Sequence, residues 1–507
     1  MLKTTKQILI LTLCVVATAF LFLPALSWAQ EEQLLDEILS GFEDEKMTED
    51  DGDEVDEGLK DETQKDRNTD GLTEDEILEE FEEESKAPQP EASKKQVLPS
   101  FLDLDGYFKI SSVYAVHGHK AAGTDTSWHG LTRLRPELKL ELDAKLPHSW
   151  LARVGAHAFY DFAYMINGRS NYTDEVLDQY EKEIELDEAW LMGSLTQSTD
   201  LKAGRQIVVW GRSDNIRITD VLNPLNLREP GLVDIEKIRL PVTMTKLDYF
   251  FSELNFSGIA IHEIRFNKNP KFGSDFFPAP APLPGRSSNE GLTLEDTQFA
   301  AALNGIFHGW DASLYAAYIF DDFAHFNVKS PGPPPKIVRE HARIKMLGAA
   351  GNIARGNWLF KAEAAYFDDL KFTNTPAKKY SSLDGLIGFE YSGFTDTSLT
   401  IEIANQHLFD FDDRLKESPD SQKENLFQSA IRLTQNYLND TLTFTFLATT
   451  FGVTGDEGAF QRFTVEYDYT DAIQITTGAV FYQSGDLRRT QGIGDNDRVY
   501  LEAKYNF

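Results

Sequence analysis

One cysteine, Cys14, is all that a chain of 507 residues offers for disulfide chemistry. No internal crosslink can form from it, so a secreted scaffold stapled by disulfides is excluded. Long apolar runs are equally scarce. The one such run, Ile8 to Leu26, lies at the N-terminus, which leaves no bundle of membrane helices in the rest of the chain. Basic residues are in deficit, 49 Lys and Arg against 82 Asp and Glu, and the net charge of −33 disfavours nucleic acid as a partner. Recognisable catalytic patterns are missing too. His117, His119, His129, His157, His262, His341 and His407 fall in no nucleophile or metal signature, so the chain is read as not an enzyme and as needing no cofactor.

What is present begins with an export signal. Lys3 and Lys6 precede the apolar run, and Ser27-Trp28-Ala29 closes it with small residues around the cleavage point, so residues 1–29 are read as a signal peptide. Leu13 before Cys14 does not suit a lipid anchor. Residues 30–99 follow as an acidic low-complexity segment, with 27 acids and 7 bases between Glu31 and Leu98. It is poor in aromatics and is expected to be disordered in isolation. Within it the pattern D-E-I-L-x-x-F-E-x-E occurs at Asp36 and again at Asp75. Ile38, Leu39 and Phe42 in one copy, and Ile77, Leu78 and Phe81 in the other, can share one face of a short helix. The pair reads either as a duplicated peptide that docks on a periplasmic or inner-membrane transport partner, or as a solvated tail. Asp66, Asn68 and Asp70 begin like a calcium loop, but Ile77 stands where the twelfth-position carboxylate belongs, so only a weak site is offered there.

From about residue 100 the sequence alternates. In 131–146, Leu134, Leu138, Leu140, Leu142 and Leu146 share one face while Arg133, Arg135, Glu137, Lys139, Glu141, Asp143 and Lys145 share the other. The last ten residues repeat the pattern, with Val499, Leu501, Ala503, Tyr505 and Phe507 on one side. An apolar face for lipid and a polar face for a lumen account for both sides, and Tyr505 and Phe507 are expected to serve as the assembly signal for outer-membrane insertion machinery. Eight short turns alternate with nine longer connections, near 117–130, 164–182, 211–241, 265–295, 322–339, 369–381, 408–424, 452–459 and 484–496. The expected fold is therefore all-β: a transmembrane antiparallel β-barrel over 100–507 with about 18 strands, 16 being possible. An even strand number puts both termini in the periplasm of a Gram-negative envelope.

The connection 211–241 and the strand before it are distinctive. Gly204-Arg205-Gln206, Trp210-Gly211, Ser213-Asp214, Asp220, Asn223-Pro224, the stretch from Leu225 to Pro230, and Leu240-Pro241 together resemble the family of bacterial outer-membrane proteins catalogued as domain of unknown function 1302. The resemblance implies a large barrel associated with traffic of lipid or other hydrophobic compounds through the envelope, alongside a large inner-membrane permease. On its own physics the segment is amphipathic and charge-balanced. It is expected to fold into the lumen and constrict the pore, with Arg205, Arg212, Asp214, Arg217, Asp220 and Arg228 as the polar lining and the three arginines 205, 212 and 217 facing acidic partners. The alternative is an outer loop capping the rim. The run from Phe272 through Phe276, Phe277 and the prolines to Pro284 reads either as exposed aromatics that meet an apolar substrate or lipopolysaccharide, or as a rigid packed loop. The functional expectation is a porin-like outer-membrane channel for hydrophobic compounds. A surface receptor or adhesin is the alternative, and a barrel-borne hydrolase stands third.

Overall fold

The computed structural model describes residues 99–287, 290–330 and 336–507. The signal, the duplicated acidic motif and the Asp66–Asp70 loop lie outside the described residues. Eighteen strands, numbered in chain order, form one antiparallel sheet. They are β1 (Leu102–Lys120), β2 (Ser127–Leu146), β3 (Trp150–Tyr160), β4 (Lys182–Thr196), β5 (Thr199–Gln206) and β6 (Val242–Phe251). Next come β7 (Leu254–Ile261), β8 (Gln298–Phe307), β9 (Trp310–Ser330), β10 (Lys336–Arg355), β11 (Trp358–Leu370) and β12 (Tyr380–Phe394). The last six are β13 (Thr397–Leu408), β14 (Asn425–Tyr437), β15 (Leu442–Phe451), β16 (Ala459–Thr470), β17 (Ile473–Gln483) and β18 (Arg498–Asn506). Every strand pairs with its neighbour in sequence, and β18 pairs with β1 from Tyr107↔Asn506 to Ala115↔Arg498, which closes the barrel and leaves no open edge.

Alternation decides which side chains face out. On β1 Leu104, Phe108, Ile110, Tyr114 and Val116 are exposed while Ser111, Val113 and Ala115 are buried. On β18 Val499, Leu501 and Tyr505 are exposed, Phe507 just beyond the strand is exposed as well, and Arg498 is buried. Beside the short turns a belt of aromatics stands on the outside: Phe251, Trp310, Trp358, Phe394 and Phe507. A second set, including Tyr114, Tyr318, Tyr366 and Phe481, is exposed further along the strands. Trp310 to Tyr318, and Trp358 to Tyr366, is about 26 Å of strand at ~3.3 Å per residue. With strands tilted by ~35–45° that is about 20 Å of depth, the order of the ~25 Å apolar band of an outer-membrane barrel.

All eight short turns fall where the sequence places them. Two hairpins run longer than expected. β9 and β10 have 21 and 20 residues, against the ~9–11 needed to cross a bilayer, so the connection is far shorter than 322–339. The strand pattern breaks at the bulge between Phe320 and Ala324, where the alternation is lost although the pairing resumes. The β1–β2 hairpin is extended in the same way, with shifts at Val113/Tyr114 and Ala115/His119.

Candidate functional site

The segment between β5 and β6 lies inside the barrel, because its partners are the inward-facing side chains of the wall. Val208, Trp210, Ile216, Ile218 and Leu222 are buried against Met244, Ile261, Tyr315, Ile344, Met346 and Leu386 of β6 to β12. The Trp210 and Tyr315 rings stack 4.7 Å apart. Each fully buried side chain of this size is worth ~1.5–3 kcal/mol, enough to hold an otherwise irregular segment on an apolar wall. Asn223, fully buried, clamps the two ends of the segment together. Its Oδ1 accepts from Val208 N at 2.8 Å, and its Nδ2 donates to Gln206 O at 3.2 Å and Leu240 O at 3.0 Å.

Two carboxylates project from that wall into nests of backbone N–H groups. Glu363 of β11 accepts from the amides of Arg212 (2.5 Å), Ser213 (2.7 Å) and Thr219 (3.2 Å), and from Thr219 Oγ1 (2.8 Å). Glu402 of β13 accepts from the amides of Asp214 (2.7 Å), Asn215 (3.0 Å) and Ile216 (3.1 Å). Gly211 makes the first nest possible. Its φ is 87°, and a Cβ there would stand 2.8 Å from both Glu363 carboxylate oxygens. Lys361 Nζ reaches Asp214 at 2.5 Å and Glu390 at 3.1 Å, and Arg212 Nε reaches Asp311 at 2.5 Å with Ser313 Oγ at 3.0 Å from its Nη2.

The segment then crosses to the other walls. Arg217 and Arg239 both bond Asp220, at 3.1 and 2.8 Å. Arg228 pairs with Glu183 of β4 at 2.9 Å, Glu229 with Arg133 and Arg135 of β2, and Asp234 with Arg462 of β16 and Arg432 of β14. Arg205 on β5 pairs with Glu263 at 2.5 Å and Glu185 at 3.5 Å. Burial pushes the Glu229 carboxyl up, but Arg133 and Arg135 outweigh it and hold it well below the usual carboxylate range. Asp234 is lowered in the same way, burial being outweighed by Arg462 and Arg432.

A pH expectation follows from these two shifts. A carboxyl with a depressed folded pKa contributes stability that is present above its unfolded pKa and lost only as pH falls through the folded one. The segment should therefore stay docked through mild acid, with the hydrogen-exchange protection of its amides, corrected for the intrinsic rate, unchanged from pH 7 down to about pH 4 and loss beginning only below the ordinary carboxylate range. Release at pH 5 to 6 would contradict the pairing.

Among the described residues His157, Glu183 and Glu185 have their ligand atoms close enough to hold a metal. The carboxylates are already engaged: Glu183 by Arg228 and Lys268, Glu185 by Arg265, Lys268 and Arg205. With four cations around it this trio works as an ion-pair network, and it is a poor host for a further positive ion. The connection 262–297 also packs inward. Phe276 and Phe277 are buried, Phe276 against Val113, Val480, Tyr482 and Tyr500, while Asp275 pairs with Arg498 of β18 at 2.9 Å. Of the two readings of this run, the packed loop holds and the exposed aromatics do not: Phe276 and Phe277 are buried between the loop and its neighbours.

Of the six lining residues singled out in the sequence, Arg212 and Asp214 meet the β9–β11 wall, Arg217 and Asp220 pair with each other within the segment, and Arg205 and Arg228 lie at the β4 carboxylates. Sequence reasoning missed Glu363, Glu402, Lys361 and Arg462. Glu402 is an acid on the inward face, in the row of Thr400 and Ala404, while Ile401 and Ile403 take the other face; an acid alternating with apolar residues in this way was the signal available.

A closed eighteen-stranded antiparallel barrel with an apolar outer face and a long segment tethered across its lumen defines a transmembrane β-barrel of the porin-like, outer-membrane class. The chain belongs to the family described as protein of unknown function DUF1302, whose model matches residues 124–507. Among curated proteins none matches the sequence. Solved structures with a similar fold include Acinetobacter baumannii OccAB1, at 12% identity and a TM-score of 0.47, with 83% of this chain and 99% of that one covered. Pseudomonas aeruginosa OccK1 (OpdK) aligns at 10% identity and TM-score 0.46 over 80% of this chain and 98% of its own. A BenF-like porin from Pseudomonas fluorescens Pf-5 aligns at 11% and 0.48, with 80% and 98% covered.

Proposed function

We propose that this protein is a non-enzymatic Gram-negative outer-membrane channel whose bore is set by the 207–241 segment, and that it moves lipid-like or other hydrophobic compounds. The observation that carries the reading is the tethering of one segment to wall residues of β2, β4, β11, β13 and β16, so that it spans the lumen. Val209 and Val233, 57% and 41% exposed on this interior segment, are apolar surface that such a compound would meet there. In this reading both barrel termini face the periplasm with the short turns, Tyr505 and Phe507 address the assembly machinery, and the acidic segment engages a periplasmic or inner-membrane transport partner.

Planar-bilayer recording of the refolded full chain tests it. Stable openings are expected, and the double variant Arg212→Ala with Asp214→Ala should raise their conductance, because the Asp311 and Lys361 tethers are lost together. A barrel that never opens would favour a surface receptor. Openings of unchanged conductance in the variant would remove the segment from the role of constriction.

A further inference from the structure

We propose that Lys271, Arg286, Arg339 and Arg488 form a binding site for a multivalent oxyanion at the long-loop end of the barrel. The four come from three places in the chain: the connection 262–297, the start of β10 and the connection 484–497. Backbone pairing brings two of them together, since Arg286 and Arg339 form an isolated parallel bridge, with Arg339 N donating to Gly285 O at 2.9 Å and Ser287 N donating to Arg339 O at 2.9 Å. Arg488 comes near Arg339 by way of β9. Its guanidinium lies 5.6 Å from the centre of the Phe326 ring, and Phe326 is the cross-strand neighbour of Arg339.

Partly buried cations are ordinarily compensated by carboxylates, and in the lumen of this barrel the arginines 205, 212, 217 and 228 each have one. This cluster differs. Only Arg286 has an ion-pair partner among the described residues, the exposed Glu290. Arg339 Nε donates to the Pro284 carbonyl at 2.6 Å and Arg488 Nη1 to the Pro419 carbonyl at 3.3 Å. Carbonyls and ring faces take a hydrogen bond without supplying the missing charge. At longer range Glu290 and Glu175 face Lys271 and Arg339, and Asp420 faces Arg488; Asp420 already accepts from the amides of Thr373 and Asn374 at 2.9 and 2.7 Å. Burial, then repulsion from Arg286 and Arg339, lower the pKa of Lys271, and burial lowers that of Arg488. In a chain of net charge −33, half-buried positive charges that repel one another are held here by carbonyls and ring faces with fewer adjacent carboxylates than cations. Guanidinium forks around a lysine match the oxygens of phosphate or a polycarboxylate, and such an anion supplies the charge that the protein leaves out.

Calorimetric titration of the full chain in detergent with inorganic pyrophosphate tests the site without reference to conductance. Saturable binding that weakens as salt rises is expected. Arg339→Gln combined with Arg488→Gln should weaken it by about tenfold or more. The same variant also loses the hydrogen bonds to the Pro284 and Pro419 carbonyls, so melting is read beside binding: weakened binding with wild-type melting assigns the effect to the site. Lys271→Gln gives the same test should the double variant fold poorly. A second arm presents lipid A in vesicles. Binding of pyrophosphate alone identifies a soluble ligand and binding of lipid A alone a headgroup phosphate; either supports the site. Binding of neither probe, or equal binding by wild type and variants, overturns it.

Discussion

Replacing both wall carboxylates, Glu363→Ala with Glu402→Ala, is expected to detach the lumenal segment while leaving the barrel closed. The two side chains accept from the backbone amides of Arg212, Ser213 and Thr219, and of Asp214, Asn215 and Ile216. A buried donor left without an acceptor costs ~1–3 kcal/mol, so stranding these together removes on the order of 5 kcal/mol or more from the docked state. That exceeds what a locally stabilised segment can lose and remain in place. The strands keep their own ladder, which does not pass through either side chain. Trypsin should then cut after Arg212 and Arg217, single-channel conductance should rise severalfold with added noise, and the heat-sensitive mobility of the folded barrel should persist. Glutamine at both positions keeps the shape and one acceptor oxygen each, and should give a partial effect. Full trypsin resistance and normal conductance in the alanine variant would mean that the apolar face alone holds the segment.

This prediction rests on residues that a sequence reading does not reach, and the reason is physical. Strands and short turns are local: period-2 alternation, and turns such as His308-Gly309 and Ser252-Glu253, declare themselves within a few residues. Eighteen strands, both long faces and the closing strand were legible for that reason. The ends of β9 and β10 were not, because the bulge at Asp321 to Phe323 breaks the alternation while the hydrogen-bonded pairing continues beyond it. The interior of the barrel was legible in part. The apolar residues Ile216, Ile218, Leu222 and Leu225 announced that segment 211–241 packs on something, and all four are buried. What they pack on is set by barrel closure. Glu363 meets Arg212 across 151 residues and Glu402 meets Asp214 across 188, so only the register of the whole sheet brings them together. Arg217, expected to face an acidic partner, finds it in Asp220 only three residues away.

Glu229→Ala is expected to be the most damaging single change on the opposite wall. Arg133 is 7% exposed, and its ion-pair partner among the described residues is Glu229. Arg135 is less dependent, since Asp161 bonds its Nε at 3.2 Å. Removing one member of a buried pair leaves an uncompensated charge and costs ~3–5 kcal/mol; because the Glu229 side chain keeps 25% of its surface exposed, the lower end of that range applies. The loss falls on the docked segment at its far end, near the Arg228–Glu183 contact, so it should loosen residues 226–234 more than the nests at Glu363 and Glu402. Hydrogen exchange can separate the two: amides of Asn226 and Leu227 should exchange faster in the variant, and those of Asp214 to Ile216 should not. A control follows from the same physics. Arg133→Met together with Glu229→Met removes both charges, fills comparable volume, and should recover most of the lost protection. If the double variant is as loose as Glu229→Ala, the contact matters through its charges and their orientation in the lumen, and the desolvation argument for this wall is wrong.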